Sequence, residues 1–160
     1  MANNMKYFIG NWKMFGVPKS ISILNKINNF VKSDKKFNTR YKAIITPPHT
    51  LVESYVKLFL NQKISIGAQN CYHKDNFGAN TGSVSPFMIK SVGAQYMIVG
   101  HSDNRSEGDT DVMLKSKVEN SLNNKLKVIF CIGENKTDKR KNRTFKVLKK
   151  QIESVLEKKF

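Results

Sequence analysis

Short apolar runs alternate with longer stretches of helical periodicity along most of the chain. Tyr7-Phe8-Ile9-Gly10 reads as a strand, and the stretch after it places Ile23, Leu24, Ile27, Phe30 and Val31 on one helical face. Ala43-Ile44-Ile45 is a second strand, broken by Thr46-Pro47-Pro48, and a helix follows with Leu51, Val52, Tyr55, Val56 and Phe59 as its apolar positions. Ile64–Ala68 is a third strand, leading into a polar, glycine-bearing loop from Asn70 to Ser85. A short helix after Pro86 precedes a fourth strand, Tyr96–Val99. Asp111 opens a helix with Leu114, Val118 and Leu122 at four-residue spacing, and Val128–Ile132 is the fifth and most hydrophobic strand. The last helix turns Phe145, Leu148, Ile152, Val155 and Leu156 inward, with Asn142 as its expected cap.

The pattern is five strand-then-helix units without a tight hairpin between neighbouring strands. Such a series predicts an α/β fold of parallel strands joined by right-handed helical crossovers. Two architectures satisfy it, an open doubly wound sheet and part of a (β/α)8 barrel, and periodicity does not separate them. No linker, tandem repeat or low-complexity tract interrupts the series, so residues 1–160 read as a single domain. The lysine-rich stretch Lys136–Arg143 is expected to be a solvated loop before the last helix.

Composition narrows the classes. With 39% hydrophobic and 10% aromatic residues the chain can build a core, which excludes wholesale disorder. No apolar run approaches the ~18–20 residues of a membrane-spanning helix. The opening Met-Ala-Asn-Asn-Met-Lys lacks the layout of a secretory signal. Cys71 and Cys131 stand far apart without a metal-ligand pattern. Free thiols in a reducing, cytoplasmic setting are the expectation.

The net charge of +16 first suggests a binder of nucleic acid or of an anionic surface. Of the 28 basic residues, however, 24 are Lys and 4 are Arg, whereas Arg supplies most bidentate phosphate and base recognition. Lys also travels with 17 Asn and 13 Ile, a trio that A+T-rich coding inflates by itself. The expectation is therefore no specific nucleic-acid partner. The alternative kept open is a repurposed basic binding or assembly module. The excess is concentrated in residues 136–160, where ten basic residues face Asp138, Glu153 and Glu157.

Chemistry is expected where strands end at their carboxyl edges. The first strand runs into Asn11-Trp12-Lys13, where a lysine could hold a phosphate or polarise a carbonyl as a compact point charge. The fourth ends in Gly100-His101-Ser102, where backbone N–H groups would keep the imidazole neutral and able to donate to a developing oxyanion. Taken singly, each residue has a plainer reading: Lys13 as one of many surface lysines, His101 as a core histidine satisfied by the backbone. His49 and His73 carry only that plainer reading. No Walker loop, G-x-G-x-x-G fingerprint, zinc H-E-x-x-H motif or G-x-S-x-G elbow occurs. Cys131, inside an apolar strand, reads as a small packing residue.

The motifs gain specificity as a set. Gly10-Asn11-Trp12-Lys13-Met14, Gly67-Ala68-Gln69-Asn70, Thr81-Gly82-Ser83-Val84-Ser85-Pro86, Gly100-His101-Ser102 and Cys131-Ile132-Gly133-Glu134 occur in an order that resembles the triosephosphate isomerase family, from about Tyr7 onward. The resemblance implies an incomplete (β/α)8 TIM-barrel lineage with five βα units. It also implies interconversion of dihydroxyacetone phosphate and glyceraldehyde 3-phosphate in glycolysis and gluconeogenesis, without cofactor or metal, in a cytoplasmic homodimer. Asn11 and Lys13 would bind the substrate, Lys13 supplying positive charge. His101 would polarise the carbonyl and shuttle protons through the enediolate, the role of the neutral histidine in this family. The loop Gly78-Ala79-Asn80-Thr81-Gly82 would reach into the partner subunit, with Thr81 near the neighbour's Asn11 and Lys13.

Three departures qualify the resemblance. Ser83 and Asn104 stand where the family has a glutamate and an arginine, expected to be ionic neighbours near the dimer interface; losing both avoids an unpaired charge. Asp103 replaces a glutamate one methylene longer, and Ser106–Asp109 is about two residues shorter than usual. Thirdly, a full barrel runs to ~250 residues. The sixth unit would carry the glutamate base and lid, and the seventh and eighth the phosphate loops; no Ala-Tyr-Glu-Pro-like motif occurs in residues 1–160. Glu134 ends the fifth strand at the correct face, but the family has it in addition to its base. The expectation is a truncated isomerase that is inactive alone.

Overall fold

The computed structural model describes residues 5–34, 40–74 and 77–156. The opening Met-Ala-Asn-Asn, Asp75-Asn76 of the polar loop, and Glu157 of the basic tail lie outside the described residues. Five strands, β1 (Lys6–Asn11), β2 (Tyr41–Thr46), β3 (Ile64–Ala68), β4 (Tyr96–Val99) and β5 (Lys127–Phe130), form one parallel sheet in sequence order. That order decides between the two architectures. A doubly wound sheet reverses its strand order at a switch point, whereas right-handed crossovers advancing always to the next strand keep every helix on one face. The sheet is an arc of a (β/α)8 barrel.

The crossovers are α1 (Ile21–Ser33), α2 (His49–Leu58), α3 (Pro86–Ser91), α4 (Ser102–Ser106) and α5 (Asp111–Asn123); α6 (Lys136–Arg140) and α7 (Thr144–Val155) follow β5. Their starts are legible in side-chain chemistry. The Ser85 hydroxyl accepts from the Met88 amide at 3.2 Å with Pro86 in the first turn, and the Thr110 hydroxyl accepts from Met113 at 3.3 Å. The core lies between sheet and helices, where Leu24, Ile45, Val52, Met97, Leu114 and Val118 are buried.

Several expectations change. Asn142 does not cap α7: it adopts a left-handed φ of 54°, and the helix follows Arg143 with no side-chain cap bond. Lys136–Arg143 is not wholly loop, because the Asn135 side chain accepts from the Asp138 amide at 2.8 Å and starts a short helix that Arg143 braces against Asp138 at 2.7 Å. β5 ends at Phe130, where its ladder with Val99 stops. Of the apolar positions read on the helix faces, Ile23, Phe30, Leu122, Phe145 and Ile152 are exposed, while Asn28 is buried.

Candidate active site

The carboxyl ends of β1, β3 and β4 bring together residues from three crossovers. After β1, Lys13 sits at φ 49°, a backbone region that side chains other than glycine rarely adopt. Two bonds hold it there, and a third anchors one of the groups that makes them. The Asn11 side-chain oxygen accepts from the Lys13 amide at 2.9 Å, Gln69 Nε2 donates to the Lys13 carbonyl at 2.9 Å, and the same Nε2 donates to the Thr46 carbonyl at 2.8 Å. Strain at a non-glycine residue persists only where the surroundings over-determine it, and here the end of β3 reaches across β2 to do so.

His101 follows Gly100 at the end of β4 and caps α4. Gly100 has a φ of +77°, and a Cβ there would stand 3.0 Å from the Cys131 carbonyl and 2.9 Å from the Arg105 guanidinium, so the turn admits no side chain. The Asp103 amide donates to His101 Nδ1 at 3.1 Å. An Nδ1 that accepts leaves Nε2 as the protonated nitrogen in the neutral ring, free to donate. The Asp103 carboxylate lies 3.2 Å from Lys13 Nζ and 3.5 Å from His101 Nδ1. The shortened acid therefore still pairs with the lysine, while Asp103 meets the histidine through its backbone amide. Both ends of the Lys13–Asp103 pair are half exposed, where such pairs contribute only ~0–1 kcal/mol; the pair aims the ammonium more than it stabilises the fold.

A cavity of about 630 Å³ opens beside His101, lined also by Ser102, Arg105, Glu134, Asp138 and Gln151. Glu134 accepts from the Thr144 hydroxyl at 3.2 Å. Cys131 is half buried; burial raises its thiol pKa more than the nearby Arg105 lowers it, which fits packing rather than nucleophilic chemistry. Asn11, Lys13 and His101 thus share one edge of the sheet. Thr81 is exposed on a separate loop, and no hydrogen bond or ion pair joins it to those three among the described residues. His49 Nε2 donates to the Asn70 backbone carbonyl at 2.7 Å, in keeping with a backbone-satisfied histidine.

Sequence reasoning assigned no role to three groups. Gln69 lay inside a quoted motif immediately after β3, which was its available signal. Arg105 donates to the Gly100 and Cys131 carbonyls at 2.8 and 3.2 Å. Lys117, buried on α5, meets Asp109 at 2.7 Å and the Asn70 side chain at 2.9 Å, tying the loop after β3 to the helix after β4. Charge spacing alone marked none of these long-range partners.

Comparison with known proteins agrees with this geometry. A sequence model of triosephosphate isomerase matches residues 6–159. The chain is 37% identical to the triosephosphate isomerase of Wolbachia pipientis wMel, covering 92% of this chain and 57% of that protein. It is also 37% identical to that of Thermodesulfovibrio yellowstonii, covering 94% and 60%. The crystal structure of triosephosphate isomerase from Bartonella henselae superposes with a TM-score of 0.87 at 31% identity, covering 96% of this chain and 62% of that one. The chain spans about three-fifths of the length of these relatives.

Proposed function

The chain belongs to the triosephosphate isomerase family, and we propose that it carries the binding and polarising half of that site, acting on a phosphorylated three-carbon aldose or ketose. The observation that carries this reading is the convergence of Lys13, Asp103 and His101 from two separate strand ends. In the proposed reaction Asn11 and Lys13 hold the substrate, the ammonium offsetting its negative charge. A base removes a proton from the carbon beside the carbonyl, and His101 Nε2–H donates to the oxygen as charge develops on it. The old carbonyl oxygen gains a proton, the neighbouring hydroxyl gives one up through His101, and the carbon-bound proton returns to the former carbonyl carbon, so ketose becomes aldose with no net change in atoms or electrons.

Lys13 and His101 supply charge and a hydrogen-bond donor, not the base. Residues 1–160 hold no counterpart of the family's base motif or phosphate loops. We therefore expect residues 1–160 alone to bind dihydroxyacetone phosphate weakly and to turn over none of it. Titration followed by NMR is expected to shift Lys13 and His101 signals, with Lys13→Met abolishing the response; clear turnover by purified 1–160 would overturn the division of labour.

A homodimer is part of the proposal. Met14, Phe15 and Phe77 are 95%, 78% and 80% exposed, and large apolar side chains so exposed suit a surface that a partner covers. In that assembly Thr81 contacts the partner's copy of the loop after β1. Among the described residues no helix is long and apolar enough to cross a membrane; a cytoplasmic, glycolytic and gluconeogenic setting is proposed from family membership.

A further inference from the structure

Arg105 has more contacts than its place in a five-residue helix requires. Its backbone N–H makes the ordinary helix bond to the His101 carbonyl at 3.0 Å, and beyond that bond its Nε donates to the Gly100 carbonyl at 2.8 Å. Those carbonyls belong to the two peptide groups flanking the His101 Cα. One residue therefore holds both planes that set the direction of the His101 side chain. Nη2 crosses to the Cys131 carbonyl at 3.2 Å, just past the last Val99–Phe130 pair, so the guanidinium bridges β4 and β5 where their ladder has ended. Nη1 lies 3.6 Å from Asp111, and the guanidinium covers the Phe130 ring at 5.7 Å. Contacts to two carbonyls, a carboxylate and a ring face require a planar fork of donors, which lysine lacks.

We propose that Arg105 is a positioning residue for His101, fixing the ring so that Nδ1 meets the Asp103 amide and Nε2–H faces the cavity. The inference rests on the reading of His101 as the polarising group. It assigns the ring's orientation to Arg105 and not to the Lys13–Asp103 pair, whose half-exposed ends exert weak restraint.

The test is NMR of the isotopically labelled 160-residue chain, reading the coupling across the hydrogen bond between the Asp103 amide nitrogen and His101 Nδ1. Arg105→Lys keeps the cation but loses the fork, and is expected to lose this coupling and broaden the His101 ring signals. Asp111→Asn removes the ionic partner but leaves both carbonyl bonds, and is expected to keep the coupling. A folded Arg105→Lys chain with the coupling intact and only a lower melting temperature would reduce Arg105 to a structural staple and overturn the proposal. If that variant does not fold, the wild-type chain decides: coupling from Arg105 Nε–H to the Gly100 carbonyl carbon is expected, and its absence refutes the proposal. Loss of positioning in a chain that binds no dihydroxyacetone phosphate would overturn the isomerase reading while sparing the role of Arg105.

Discussion

β4 and β1 are written in the same alphabet and meet different fates. Tyr96-Met97-Ile98-Val99 is buried at every position, with Met97 fully enclosed between neighbouring strands and the helix layer. Tyr7-Phe8-Ile9 in β1 is largely exposed, Phe8 at 58%, although β1 makes the longest ladder in the sheet. Backbone pairing is therefore not what separates them. A strand within a barrel arc needs a neighbour on each side and cover on each face, and among the described residues β1 has a strand on one side only. Hydrogen bonds define the strand; only packing on all sides converts apolar surface into stability.

The largest expected effect tests the centre through its buried charge. Lys117→Met leaves Asp109 without its cation in a site where both are nearly inaccessible, and should cost about 3–5 kcal/mol in urea unfolding. Met97→Ala, in the enclosed strand, should cost about 2–5 kcal/mol from lost contacts and the cavity left behind. Phe8→Ser, in the open strand, loses its contact with the Tyr41 ring, should cost about 1 kcal/mol, and should reduce self-association. The contrast between the strands fails if Phe8→Ser proves as costly as Met97→Ala.

A smaller effect is expected from pH. Burial raises the Tyr96 phenol above its ordinary 10.0 and the Cys131 thiol above 9.0. Groups with raised folded values contribute their stability below the ordinary value, where both states are protonated, and lose it as pH rises and the unfolded chain ionises first. Stability should thus decline above about pH 9. Tyr96→Phe should flatten the upper part of that decline, and an unchanged slope would show that the phenol ionises equally in both states.

Much of this protein was legible as a string. Five strands in order and their parallel sense follow from local rules of period and β-branched runs, whereas the one cap read from the string, Asn142, does not form and Ser85 and Thr110 cap their helices instead. The motif order carried family membership as well, and with it attention to Asn11, Lys13 and His101. Tertiary structure decided what depends on residues far apart in the chain. It separated Met97 from Phe8, exposed Phe145 where periodicity turned it inward, and started a helix within the lysine-rich stretch. It also brought Asp103 within 3.2 Å of Lys13, and Arg105 within 3.2 Å of the Cys131 carbonyl. The physical reason is one of range. Periodicity reports which face of an element is apolar, whereas burial and side-chain bonding depend on which other element arrives at that face, and at what distance.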